Sequence, residues 1–112
     1  MMIGVRDSAA SRDWYVTHLG LRVEFEVAAR KAFALQDDAG FTLFVDQSEA
    51  PAPGLAMYFH VDHVDAVFAR LAATGVHVGH PPQKTYWGYG AEVLDPDGHR
   101  VRLWDERTMR DK

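Results

Sequence analysis

Residues 21–27 read Leu-Arg-Val-Glu-Phe-Glu-Val, an alternation of apolar and charged positions with a period of two. That period belongs to a strand, whose successive side chains point to opposite faces. Just upstream, the spacing predicts a helix over 8–18, with Asp7 as N-cap, Ala10, Trp14 and Val16-Thr17 near one face and Gly20 ending it. Two further strands are expected at 31–35 and 41–46, joined by the turn-like Asp37-Asp38-Ala39-Gly40. Residues 48–54 hold two prolines and a glycine and read as a linker. The order of elements then starts again. A strand is expected at 55–61, and Asp62 or His63 opens a helix carrying Val64, Val67, Phe68 and Leu71 at helical spacing, closed by Gly75. A short strand at 76–78, a proline-bearing loop at 79–84 and a hairpin of 86–94 with 99–105 follow. The turn of that hairpin is Asp95-Pro96-Asp97-Gly98, in which proline presets one dihedral and glycine accepts a positive φ.

Each half therefore reads strand, helix, strand, strand, strand. The letters repeat as well, "VRDSAASRDWYVTHLGL" beside "VDHVDAVFARLAATGV". Two such units predict an α+β fold: two βαβββ modules, 1–50 and 54–107, forming a cupped mixed sheet with the helices on the outer face, in one domain spanning 1–112.

Composition narrows the function. A chain of 112 residues is one domain's worth, and its longest apolar runs are too short to span a membrane. With no cysteine there is no disulfide framework, thiolate metal site or Cys nucleophile, which favours the cytoplasm. A net charge of −4 argues against a nucleic-acid partner, which needs clustered positive charge. No phosphate-loop, nucleophile-elbow or dinucleotide fingerprint is present. The opening Met1-Met2-Ile3-Gly4-Val5 is too short and too quickly charged for a signal peptide.

Three groups of letters carry a resemblance: Val5-x-Asp7 with Trp14-Tyr15 and Leu19-Gly20-Leu21; Val61-Asp62-His63-Val64-Asp65 with Leu71-x-x-x-Gly75; and Trp87-Gly88 with Asp95-Pro96-Asp97-Gly98-His99-Arg100-Val101. In this order and spacing the chain resembles the vicinal oxygen chelate superfamily, the glyoxalase/bleomycin-resistance fold, and within it the bleomycin-binding resistance proteins. The resemblance covers nearly the whole chain. Metal-dependent members carry His or Glu on four cup-facing strand positions. Carried over, the first falls just before Met1, where related chains have several more residues; the others fall at Phe44, Ala56 and Arg102. Phenylalanine and alanine have no donor atoms and arginine repels a divalent cation, so neither a metal site nor a cofactor is expected. The histidine pairs His77/His80 and His60/His63 do not converge with a carboxylate.

Strand parity then assigns Thr42, Phe44 and Asp46 to the cup from the first module, and Ala56, Tyr58, His60, Arg102 and Trp104 from the second. Trp87 and Glu92 complete the expected ligand-binding set. Arg102 is expected to pair with Glu92 on the neighbouring strand, or to hold an anionic group of a guest. Tyr58 and His60 read either as ligand-positioning groups, His60 being available for proton transfer, or as groove residues making ordinary hydrogen bonds. Trp87 and Trp104 are suited to stacking on planar rings or to filling a sheet end. Of Trp14 and Tyr15, one belongs to the core. The acids Asp46, Glu24 and Glu26 either set a negative potential or solvate a strand face. The resemblance implies metal-independent, non-catalytic binding of a small organic molecule, such as sequestration of an antibiotic of the bleomycin class. It also implies a homodimer, with or without exchanged modules. The alternative is a lyase, isomerase or dioxygenase of the same superfamily, with metal at unexpected residues or His60 and Tyr58 in acid–base roles.

Overall fold

The computed structural model describes residues 1–48, 56–86 and 88–106. The chain divides into two compact units, Met1–Pro53 and Gly54–Lys112. From residue 49 on, the expected linker lies outside the described residues, as does Trp87.

In the first unit the order is β1 (Met2–Val5), α1 (Ser8–Leu19), β2 (Arg22–Val27), a short 3-10 turn at Ala28–Arg30, β3 (Ala32–Gln36) and β4 (Thr42–Gln47). These strands form one sheet in the order β1-β4-β3-β2, with β1 parallel to β4 and the remaining pairs antiparallel. The helix starts where expected: the Asp7 carboxylate accepts from the Ala10 N–H at 3.1 Å, and Gly20 closes the other end at φ 71°. Its buried stripe is Ser8, Ser11 and Tyr15, with Trp14 only half-buried. The small serines let the helix lie close to the sheet, and the Ser8 N–H and hydroxyl both donate to Gln47 Oε1, at 3.2 and 3.3 Å. Ile3, Val5, Leu35, Leu43 and Val45 fill the space beneath.

The second unit repeats the plan with β5 (Ala56–His60), α2 (Val64–Ala73), β6 (His77–Thr85), β7 (Gly88–Leu94) and β8 (Arg100–Trp104), in sheet order β5-β8-β7-β6. The fold is thus α+β, built of two βαβββ modules, each with its own mixed sheet. Of the two possible caps for α2 the structure uses His63, whose Nδ1 accepts from the Ala66 N–H. The Asp105 carboxylate, buried at the end of β8, accepts from the Val64 N–H at 2.7 Å and ties the helix start to the sheet. Met57, Phe59, Val64, Leu71, Val93, Val101 and Leu103 form this core. The Asp95 side chain organises the hairpin turn by accepting from the N–H groups of Asp97 and His99, at 2.9 and 2.8 Å, while Gly98 takes φ 83°.

One element differs from expectation. The stretch 79–84, read as a loop on account of its glycine and two prolines, is part of a single nine-residue strand, β6. The strand survives because it is the edge of its sheet, where a missing N–H breaks no ladder on the solvent side, and because two bulges absorb the irregularity, between Val78 and His80 and between His80 and Gln83. Among the described residues no helix is long and apolar enough to cross a membrane.

Candidate functional site

The helix-free face of the second sheet is built in rows across its strands. Register places Tyr58 beside Arg102, Arg102 beside Glu92, and Glu92 beside His80. A second row runs Ala56, Arg100, Leu94, His77, and His60 lies beside Trp104. Burial follows the same parity in β5: Met57 and Phe59 are buried, Tyr58 and His60 exposed. Arg102 is the exception on its face, only 6% exposed.

Its burial is compensated. Arg102 Nε donates to Glu92 Oε1 at 2.9 Å, the expected ion pair, and Nη1 donates to the hydroxyls of Tyr58 and Tyr86. The guanidinium carbon lies 5.3 Å from the centre of the Tyr58 ring and 5.5 Å from that of Tyr86. Burial, the largest single influence, would lower the Arg102 pKa; the hydrogen bonds to Glu92, Tyr86 and Tyr58 outweigh it and the net direction is upward. The side chain is therefore a fixed cation held between a carboxylate and two phenols. Beside it His60 and Trp104 meet edge to face, 4.7 Å between ring centres. Tyr86 was not among the residues expected from parity, since it sits in the turn before β7; at 89% exposed it is the most open large side chain of this face.

The bulge at Gly79 makes room for this arrangement. A Cβ there would overlap the Glu92 carboxylate and come within 2.8 Å of its Cγ. Gly79→Ala should displace Glu92 from Arg102 and destabilise the protein by about 1–3 kcal/mol. In urea denaturation that loss should fall below about 0.5 kcal/mol in an E92A background, where nothing remains to collide.

The first sheet presents a different surface. Its helix-free face carries the rows Met2–Phe44–Ala34–Phe25 and Gly4–Asp46–Ala32–Val27, with Thr42 beside Gln36. Phe44 meets Phe25 edge to face at 5.6 Å. Phe25 arrives there through a bulge in β2: Val23 pairs with Leu35 but Phe25 with Ala34, so one extra residue, Glu24, changes the face on which Phe25 stands. Simple alternation over 21–27 does not reveal this. Asp46, considered as a source of negative potential, instead accepts from Arg30 Nη2 at 2.8 Å, so its charge is locally compensated.

The residues at the expected ligand positions do not fit a divalent cation. Phe44 and Ala56 offer no lone pair, and Arg102 is a donor-only cation already committed to three partners. Among the described residues no group of three or more His, Cys, Asp or Glu is placed to hold a metal. His60 faces Trp104, His63 caps α2, and His80 Nδ1 lies 2.8 Å from the Pro81 carbonyl.

The sequence model of the Glyoxalase/Bleomycin resistance protein/Dioxygenase superfamily matches residues 1–103. The chain belongs to that superfamily. Several solved structures share the fold of this superfamily member. An integron cassette protein from the mobile metagenome of Halifax Harbour Sewage Outfall is 19% identical with a TM-score of 0.82, the alignment covering 92% of each chain. A lactoylglutathione lyase from Agrobacterium tumefaciens is 16% identical with a TM-score of 0.78, over 96% of this chain and 91% of that one. A superfamily member from Sphaerobacter thermophilus is 22% identical with a TM-score of 0.76, over 95% and 94%. A search of curated protein sequences gave no match.

Proposed function

We propose that this superfamily member binds a small organic molecule without a metal, on the helix-free sheet faces of its modules, and that it acts by holding the guest rather than transforming it. The observation that carries the reading is the state of Arg102. A position that metal-dependent relatives give to a carboxylate is occupied by a guanidinium whose partners are Glu92, Tyr58 and Tyr86. Beside it stand the exposed rings of Tyr58 and Tyr86 and the half-buried Trp104; the first module presents on its own open face the exposed Phe25 and the half-buried Phe44. Ring faces with a few fixed polar groups suit a planar, partly apolar guest. Sequestration of an antibiotic of the bleomycin class, by a cytoplasmic homodimer, is the specific form we favour.

Tryptophan fluorescence titration of the purified chain against planar and glycopeptide compounds tests the proposal. At least one compound should bind with a dissociation constant below the millimolar range. Absence of any such binding counts against the proposal, as does near-stoichiometric iron, nickel, zinc or manganese in protein purified without chelators, which would favour an enzyme of the same superfamily. Light scattering on the same sample checks the dimer.

A further inference from the structure

A cavity of about 230 Å³ opens in the first module, lined by Arg6, Ala29, Arg30, Lys31, Gln47 and Ser48. It forms where three strands end together. Val5 lies beside Gln47, the Gln47 N–H donates to the Lys31 carbonyl, and the Ser48 N–H donates to the Val5 carbonyl at 2.7 Å. The chain as a whole is acidic, with 16 Asp and Glu against 12 Lys and Arg, yet among the described residues half of this lining is cationic and none of it is acidic. Asp46 holds Arg30 from outside the lining. The neutral members add donors. Gln47 Oε1 is engaged by the Ser8 N–H and hydroxyl, so what its side chain has left to offer is an NH₂ group.

The backbone adds an independent sign. Lys31 stands at φ 52°, ψ 53°, the one non-glycine residue with positive φ among the described residues. A side chain in the left-handed region is disfavoured, and glycine or asparagine would take this corner between the 3-10 turn and β3 at less cost. A lysine held in that conformation is the kind of local strain that marks a working residue.

We propose that this cavity is an anion site that takes the phosphate group of a small phosphomonoester. Three cationic side chains and further donors around one space match a group with a double charge and several acceptor oxygens. The volume equals that of roughly seven or eight waters, so there is room for carbon atoms beyond the phosphate itself. The lining shares no residue with the ring surfaces discussed above, and the proposal does not depend on them.

Amide NMR titration of the whole chain, at constant ionic strength, tests the site with inorganic phosphate, glycerol 3-phosphate and chloride. Phosphate should give saturable shifts centred on Arg30, Lys31, Gln47 and Ser48, and glycerol 3-phosphate should saturate at a lower concentration. Equal midpoints for the two would overturn the phosphomonoester assignment; matching shifts with chloride would overturn the site. Lys31→Gly separates function from folding, because it removes the ammonium while easing the backbone. It should raise Tm by roughly 2–6 °C and weaken phosphate binding about fivefold or more. Arg6→Gln should weaken it about threefold with little change in Tm. Unchanged phosphate midpoints in both variants would overturn the proposal.

Discussion

Arg102→Glu is expected to destabilise the protein by about 4 kcal/mol and to lower Tm by roughly 15–30 °C. Two effects add. The substitution removes the cation that compensates Glu92, whose side chain is only 13% exposed. It then sets a second carboxylate directly opposite the first, since residues 92 and 102 are register partners on antiparallel strands. The charge swap E92R/R102E should recover at least half of the loss, and the apolar pair E92L/R102M should lie within about 1 kcal/mol of the parent, because a well-packed pair avoids desolvating two ions. Thermal denaturation followed by circular dichroism measures all three. A stable R102E protein would mean that the ion pair does not hold the sheet. The pair also bears on the superfamily's metal chemistry. A carboxylate at 102 would face the glutamate already at 92, and with no donor atom at Phe44 or Ala56 one substitution does not complete a metal site.

Tyr58→Ala is expected to weaken an organic guest about tenfold or more, whereas Tyr58→Phe should stay within about twofold of the parent. The contrast isolates the ring from its hydroxyl. Tyr58 is 49% exposed, so much of its ring meets solvent, while its oxygen is already taken by Arg102. Fluorescence titration with the best compound of the panel reads both variants, and Tm of each separates lost contact from lost structure. If Phe proves as damaging as Ala, the hydroxyl rather than the ring recognises the guest, and the stacking account fails.

Much of the fold was legible because its signals are local. Asp7 and Gly20 bound α1 by cap chemistry, and alternation in β4, β5 and β8 assigns Phe44, Tyr58, His60 and Arg102 to the faces they occupy. The Arg102–Glu92 pair was legible too, because the Asp95–Gly98 turn fixes which residues of β7 and β8 stand opposite each other. What escaped was set by context. Proline and glycine at 79–82 speak for a loop unless the strand is known to be an edge, and only sheet order settles that. Tyr86 joins Arg102 from a turn, where no periodicity announces a direction. Phe25 escaped because a bulge leaves no mark in the alternation of residue types.

That last feature ties the character of the first module's open surface to strand register as much as to composition. If β2 paired without its bulge and kept every residue, Glu24 would stand opposite Ala34 and Phe25 would turn to the side of Leu35, away from Phe44. Substitutions that iron out such a bulge would change the ring surface of this module with every aromatic side chain intact.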